Sequence, residues 1–113
     1  MSSDRLPNAA SAHIPFAKLA DYALSPTNEK GQHKARVFRS ALGLDQTDAE
    51  WLRQRIAAAV LEAEARKQPP SGYGDRYVVD FGLTTDVGTA GVRTTWIVRN
   101  GEAFPRLTSC YVL

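Results

Sequence analysis

The sequence predicts an α+β domain in which three N-terminal helices pack on one face of a C-terminal antiparallel meander sheet of three to four strands. Two observations support this fold class. Apolar residues recur at helical spacing as far as about residue 68, and apolar and polar residues alternate with period two from residue 73 onwards. The chain of 113 residues is long enough for one domain with one hydrophobic core. We divide it into an N-terminal arm at 1–12, a helical part at 13–68 and a sheet at 73–113.

Two helices are predicted before residue 45. The first begins with Pro15, because the first helical turn tolerates a missing N–H, and ends at Ser25, because the residue before a proline disfavours a helix. The second lies within 30–44. Its apolar face and the glycine that suits its C-terminal end are Ala35, Phe38, Leu42 and Gly43.

A third helix is predicted from a sequence typical of a capping box. In this motif the Thr47 hydroxyl accepts a hydrogen bond from the Glu50 N–H, and the Glu50 carboxylate reaches back to the Thr47 N–H. Alanine-rich sequence of high helix propensity extends the helix to about Lys67. The linker at 69–72, which contains two prolines and a glycine, ends it.

Three strands are predicted after the linker, at 77–83, 92–99 and 106–112, with turn-forming residues at 84–91 and at Asn100-Gly101. The last strand carries polar residues on both faces. Period-two alternation places Leu107, Ser109 and Tyr111 on one face and Arg106, Thr108 and Cys110 on the other.

Positive charge is concentrated in the predicted second helix. Residues 30–44 carry a formal charge of +4, whereas 1–29 and 45–68 each sum to −1 and 69–113 sum to zero. A concentrated basic surface indicates a partner that carries phosphate groups. The four cations are Lys30, Lys34, Arg36 and Arg39.

Composition disfavours several classes of protein. No apolar run approaches the roughly 18–20 residues of a membrane helix, and the N-terminus lacks the basic and apolar regions of a secretory signal. The single cysteine, Cys110, excludes an internal disulfide framework. Two histidines and one cysteine are too few for a common Cys/His zinc site. These features favour a cytoplasmic protein without a metal or another cofactor.

Lys34 is the first candidate for a functional side chain. At about 100° per residue it lies at the rim of the buried helix face, where it can meet a phosphate or a developing negative charge. The alternative is a lysine that lays its stem along the apolar face and keeps its charge in water. His33 has the side chain best suited to proton transfer, or it is a surface histidine in a basic segment. Arg36 and Arg39 point away from the core and are expected to be solvated.

The C-terminal strand supplies further candidates. Arg106 and Thr108 share a face on which a guanidinium and a hydroxyl, two residues apart, could hold a phosphate. The alternative is an ordinary amphipathic edge strand. Cys110 is expected to be structural rather than a nucleophile, because no histidine lies near it in the sequence.

Five segments, taken in order, resemble a small bacterial family of unassigned function with the pattern LPxA…KLxxYxL…GxxKAxxF…W…PRLxTxYV. Together they span about residues 6–112. Domains of this kind occur alone and at the C-terminal ends of phage-head and toxin-like proteins, and they are similar to the metal-independent, RNA-cleaving toxin modules of the barnase–EndoU–colicin–RelE superfamily. The five segments are residues 6–9, 18–26, 31–38, 95–98 and 105–112.

The resemblance implies that Lys34 is a cationic helix residue of a catalytic site and that Arg106, Thr108 and Tyr111 are its last-strand residues. It does not match a catalytic histidine of the superfamily, because His33 lies at a variable position of the pattern. Because proteins that share a fold can differ in function, these roles are expectations that the resemblance implies.

The first functional hypothesis is a cytoplasmic RNA-cleaving toxin paired with an antitoxin. In it the 2′-OH attacks the adjacent phosphate, Lys34 and Arg106 stabilise the charge, Thr108 positions the phosphate, and His33 or Tyr111 transfers protons. The second is a non-enzymatic binding module, such as an antitoxin, immunity or adaptor protein. There the basic helix binds an acidic partner or nucleic acid, and the C-terminal strand offers a sheet edge for pairing. The sequence leaves open whether the protein is an enzyme and whether it forms oligomers.

Overall fold

The structure, a computed structural model, describes residues 4–113 and is α+β. Helix α1 (Phe16–Lys18) continues into a π-helical turn at Leu19–Ala23, and helices α2 (Gln32–Leu42) and α3 (Ala49–Ala59) follow. Strands β1 (Ala65–Lys67), β2 (Gly74–Thr84), β3 (Thr89–Arg99) and β4 (Arg106–Val112) form one antiparallel sheet in the order β1-β2-β3-β4. The predicted order of helices before an antiparallel meander is confirmed.

Helix α2 ends as predicted. Gly43 has a φ of 68°, a left-handed conformation that glycine adopts without a Cβ penalty. Its N–H donates to the Arg39 carbonyl oxygen at 2.9 Å, and the Leu44 N–H donates to the Phe38 carbonyl oxygen at 3.3 Å. These two bonds satisfy carbonyl groups that the end of the helix would otherwise leave unpaired.

The predicted capping box of α3 is wrong, because the observed box lies two residues earlier in the chain. The Asp45 carboxylate accepts a hydrogen bond from the Thr47 N–H at 2.8 Å, and the Asp48 carboxylate accepts one from the Asp45 N–H at 3.0 Å. A short 3-10 turn at Gln46–Asp48 thus precedes α3. Glu50 instead pairs with Arg53 one turn later in the helix. Aspartate caps a helix as well as threonine does, so both positions fit the pattern in the sequence.

The predicted extension of α3 to Lys67 is also wrong, because the helix ends at Ala59 and residues 65–67 form β1. Ala65 lies opposite Val79 of β2, and its N–H donates to the Asp4 carbonyl oxygen at 2.9 Å. Pairing with β2 satisfies the backbone of this segment and buries Ala65. The tertiary contacts therefore override the helix propensity of the local sequence.

The core lies between the helices and one face of the sheet. Helix α2 contacts β3 and β4, α1 with its π-helical turn contacts β4, and α3 packs against these helical segments. The helices therefore do not contact the sheet equally. Thr94 is a buried polar residue of this face, and its hydroxyl accepts from the Trp96 indole N–H and donates to the Val79 carbonyl oxygen. The buried strand residues of the core are Ala65, Val79, Leu83, Val92, Trp96, Leu107 and Cys110.

A β-bulge interrupts the pairing of β3 with β4. Thr95 lies opposite Ser109, whereas the next residue, Trp96, lies opposite Leu107, so Thr108 is an extra residue in β4. The insertion changes the alternation along the strand. Leu107 and Cys110 are both buried in the core, whereas Tyr111 pairs with Arg93 and is half-buried. The predicted division of β4 into two regular faces is therefore wrong from Thr108 onwards.

The described part of the N-terminal arm reaches both outer strands of the sheet. Asp4 accepts the hydrogen bond from Ala65 of β1, and the side chain of Leu6 is buried in the core. Asn8 donates to the Ala103 carbonyl oxygen. His13 then pairs in parallel with Arg106 of β4. Of the predicted arm at 1–12, residues 1–3 lie outside the described residues.

Candidate active site

The Lys34 ammonium group lies between two tyrosine rings and two hydroxyl groups. Its Nζ atom donates to the Tyr22 hydroxyl at 3.2 Å and to the Ser109 hydroxyl at 3.1 Å. It lies 4.9 Å from the centroid of the Tyr22 ring and 5.4 Å from that of Tyr111, within the range of cation–π attraction. None of the salt bridges found within residues 4–113 involves Lys34. We call Lys34, Tyr22, Ser109 and Tyr111 the Lys34 cluster.

The segment before α2 brings Tyr22 to Lys34. The Asn28 carboxamide oxygen accepts from the Lys30 and Gly31 N–H groups, and its amide donates to the Asp21 carbonyl oxygen at 2.9 Å. Gly31 packs directly on the Tyr22 backbone, since a Cβ atom at this position would lie 2.1 Å from the Tyr22 carbonyl oxygen. The absence of a side chain at Gly31 therefore allows the start of α2 to approach the π-helical turn that carries Tyr22.

The β-bulge positions the members of the cluster that β4 contributes. Because Thr108 is the extra residue, Ser109 contacts Lys34, whereas the Thr108 hydroxyl lies 2.6 Å from the Thr95 hydroxyl. Tyr111 is the cross-strand partner of Arg93, and after Asp80 it is the next contributor to the raised pKa of Arg93. The Lys34 cluster thus adjoins a second group of charges centred on Asp80.

Asp80 joins two arginines on the sheet. Arg93 binds the carboxylate through two hydrogen bonds of 2.9 Å, and Arg66 adds a third of 3.1 Å. These hydrogen bonds, with that of Arg93 the larger, hold the pKa of Asp80 below its usual value. The guanidinium of Arg93 is therefore compensated by a carboxylate, unlike the ammonium group of Lys34.

His33 lies beside the Lys34 cluster and is exposed to solvent. One surface depression is lined by His33, Lys34 and Tyr111 together with two valines of α2 and β4. Three of the five predicted site residues are therefore brought together. The residues that line this depression thus include one cation, Lys34, and two side chains that can exchange protons, His33 and Tyr111.

Arg106 and Thr108 lie apart from this depression. Arg106 forms two hydrogen bonds with the Glu102 carboxylate, at 2.9 and 2.8 Å, and its guanidinium lies 4.9 Å from the centroid of the Phe104 ring. The pairing with Glu102 raises the pKa of Arg106. Thr108 is exposed, and its carbonyl oxygen accepts a hydrogen bond from Lys18 at 3.5 Å.

Tyr22 and Ser109 are the members of the cluster for which no role was predicted from the sequence. Ser109 is separated from Lys34 by 75 positions, and a bulge decides its contact. Tyr22 lies in the KLxxYxL segment of the family pattern, and this segment was a weak sequence signal for a role of Tyr22. Cys110, expected to be structural, is buried, and burial raises the pKa of its thiol to about 12. The thiol therefore stays protonated at neutral pH and is a poor nucleophile.

Two further findings concern residues 4–113 as a whole. Within this range there is no group of three or more histidine, cysteine, aspartate or glutamate side chains arranged to hold a metal ion. None of the helices there has the length and apolar character that crossing a bilayer requires.

Comparison with known protein families assigns this domain to one family. A family model described as "Domain of unknown function (DUF6883)" matches residues 5–113, and the chain belongs to this family. Neither the curated proteins nor the solved structures compared with the chain contain a significant match.

Proposed function

We propose that this domain is a metal-independent endoribonuclease of a bacterial toxin–antitoxin pair and acts in the cytoplasm. One observation supports the proposal above the others. The charge of Lys34 is held by two hydroxyls and two aromatic rings rather than by a carboxylate, at a depression that His33 also borders. Such a cation is available to a phosphate group, and a phosphorane carries more negative charge than the phosphodiester that precedes it.

The proposed reaction is an internal transfer of the phosphoryl group. A base removes the proton from the ribose 2′-OH, the 2′ oxygen bonds to phosphorus, and the bond from phosphorus to the 5′ oxygen breaks. The 5′ oxygen takes a proton, which leaves a 2′,3′-cyclic phosphate and a free 5′-OH. Lys34 stabilises the phosphorane charge, and His33 or Tyr111 transfers the protons.

Arg106 and Thr108 have supporting roles in this proposal. Thr108 presents an exposed hydroxyl beside that of Thr95, where it can position the RNA backbone. Arg106 would contribute to charge stabilisation only when its guanidinium leaves Glu102, because both carboxylate oxygens now accept hydrogen bonds from it. Substrate binding near Glu102 would have to release this pair.

Cleavage of a labelled RNA oligonucleotide in the presence of a metal chelator tests the proposal. We expect wild-type protein to produce 2′,3′-cyclic phosphate ends and Lys34→Met to lower the cleavage rate by about 100-fold or more. Arg36→Met is the matched control, because it removes one cation from an exposed position of the same helix and should cleave at the wild-type rate. Circular dichroism verifies that both variants fold.

Two outcomes would contradict the proposal. One is intact RNA after incubation with folded protein that is free of any bound partner. The other is equal cleavage by Lys34→Met and the wild type, which would assign the activity to a contaminating nuclease. Growth arrest on induction, relieved by Lys34→Met, is the corresponding expectation for a toxin in cells.

A non-enzymatic binding module is the second candidate function, and one observation favours it. Arg36 and Arg39 are exposed on α2 and border a depression whose apolar floor includes Leu24 and Leu44. Two arginines above an apolar floor suit an acidic peptide that also carries apolar side chains. Stoichiometric capture of one protein by the wild type, lost in the Arg36→Met/Arg39→Met variant and without RNA cleavage in either state, would support this function.

A further inference from the structure

The face of the sheet opposite the core carries two adjoining depressions. Two depressions on this face share Ile97 and Thr108, so they join across β3 and β4. Val78 and Ile97 project from this face and lie outside the core cluster formed by residues 4–113. We call the joined depressions the sheet groove. Its other polar and aromatic borders include Arg76, Thr95, Tyr73, Arg99 and Asn100.

The charge of this face is strongly positive. Cross-strand pairing places five arginines on the same side of the sheet, whereas the nearby carboxylates are those of Asp80 and Glu102. Asp80 is bound by two arginines and Glu102 by a third. Arg76 and Arg99 supply the remaining positive charge, and both border the groove. The five arginines are Arg66, Arg76, Arg93, Arg99 and Arg106.

An aromatic platform stands at one end of the groove. The side chain of Tyr73 is 80% exposed, which is unusual for a residue of its size and leaves the ring available for stacking. Arg99 and Asn100 border the same depression. A ring that is free to stack, next to cations that follow a groove, is the arrangement with which proteins bind the bases and the backbone of a single strand.

The β-bulge connects the groove to the Lys34 cluster. Thr108 borders the groove, and the hydroxyl oxygen of the next residue, Ser109, accepts a hydrogen bond from Lys34. A nucleic-acid strand that lies in the groove and crosses β4 would therefore reach Lys34 by a short path. Strands in a sheet are about 4.8 Å apart, so each step across the sheet is shorter than one extended nucleotide.

We infer that the sheet groove binds single-stranded RNA, with a base stacked on Tyr73 and phosphates near Arg76 and Arg99. The inference rests on the proposed function for the choice of RNA as the strand. It adds to that function the place where the RNA substrate binds and the requirement that the RNA is single-stranded. A duplex keeps its bases stacked on each other and cannot offer one to Tyr73.

Binding to a fluorescent 2′-O-methyl RNA of about eight nucleotides tests the inference, and this probe cannot be cut because the attacking hydroxyl is blocked. We expect Arg76→Met/Arg99→Met to weaken binding by about tenfold or more and to flatten its salt dependence. Arg36→Met/Arg39→Met, which removes the same charge from α2, should bind like the wild type. Tyr73→Ala should weaken binding by about tenfold, and Tyr73→Phe, which retains the ring, should restore it.

The inference is overturned if the wild type does not bind the single strand, if the groove variants bind as tightly as the wild type, or if a duplex of the same sequence binds equally well. Equal losses in the groove variant and the α2 variant would also overturn it, because binding would then depend on charge alone. Cleavage is measured separately. If the protein binds RNA in the sheet groove but leaves ordinary RNA intact, the proposed nuclease activity is contradicted, whereas the inference that the groove binds a single strand is supported.

Discussion

At the scale of single residues, the cations whose side-chain hydrogen bonds are described above differ in their partners. Asp80, Glu102 and Glu50 each bind an arginine through paired hydrogen bonds, so their charges are compensated. Lys34 is held by hydroxyls and rings instead. Arg93 and Arg106 stabilise the sheet and the turn before β4, and Arg53 stabilises α3, whereas Lys34 can exchange its neutral partners for an anion.

The paired state of Asp80 predicts a dependence of stability on pH. Its pKa is lowered in the folded protein, chiefly by Arg93, from an unfolded value of about 3.9. The stabilisation is therefore complete above that unfolded value and is lost as the pH falls through the lower folded value. In urea unfolding, Asp80→Asn should lower the free energy of unfolding by about 1 kcal/mol at pH 6.

The difference between Asp80→Asn and the wild type should shrink progressively below about pH 4. Asp86→Asn is the control, since Asp86 is exposed in the turn between β2 and β3. A difference that stays constant from pH 6 to the acid limit would show that the carboxylate charge of Asp80 does not contribute.

At the scale of secondary-structure elements, the ends of α2 position the site. Gly31 allows the start of the helix to touch the Tyr22 backbone, and Gly43 turns the chain away at its other end. Lys34 lies three positions after Gly31, so the close approach of the helix start to Tyr22 brings these two side chains together.

Gly43→Ala should lower the free energy of unfolding by about 1–2 kcal/mol. Alanine is strained at a φ of 68°, and its Cβ would also lie 2.5 Å from a methyl group of Val87, which must move. Gly82→Ala is the matched control, because Gly82 has an ordinary φ and open space around it. Its stability should change by less than about 0.5 kcal/mol. Equal effects of the two substitutions in urea unfolding would contradict this account.

Patterns of neighbouring residues in the sequence correctly predicted those helices, strands and turns that interactions between neighbouring residues stabilise. The apolar face of α2 and the left-handed turn at Gly43 follow from spacing and from glycine chemistry, and β4 begins at Arg106 as predicted. Strand β1 could not be predicted, because the alanine-rich sequence before it favours a helix and its cross-strand partners in β2 lie ten or more positions away. Likewise, no local feature of β4 indicates that the extra residue is Thr108.

The missed strand also concealed the charge of the groove. Residues 69–113 have a net charge of zero. One of their acidic residues, Asp86, lies in a turn and not on the open face of the sheet, and β1 adds Arg66 to that face. The open face is therefore more positive than the net charge of 69–113 indicates. Of the candidate site, Lys34, His33 and Tyr111 were predicted and meet at one depression. The positions of Arg106 and Thr108 depend on Glu102 and on the bulge, which act across the fold.

At the scale of the whole molecule, the N-terminal arm ties the sheet together. Between Asp4 and His13 it contacts β1, enters the core through Leu6 and pairs with β4. Because the two contacted strands lie at opposite edges of the sheet, the arm connects parts of the fold that do not otherwise touch. The arm is therefore part of the cooperative unit.

Leu6→Ala should lower the free energy of unfolding by about 2–4 kcal/mol, because it removes a side chain that is only 2% exposed and leaves a cavity. Leu61→Ala is the control, since that side chain is 52% exposed and should cost less than about 0.5 kcal/mol. Thermal or urea unfolding provides the comparison. A Leu6→Ala protein as stable as Leu61→Ala would show that the arm is a peripheral attachment.

The contacts of the arm have a consequence for aggregation. An unpaired edge strand is a template on which another chain can add, and this sheet has two edges. Asp4 engages the backbone at one of them, and at the other His13, the residue that follows the arm, pairs with Arg106. When the arm detaches, both edges become available at the same moment. Resistance to fibril formation therefore depends more on how rarely the N-terminal arm detaches than on the strands themselves.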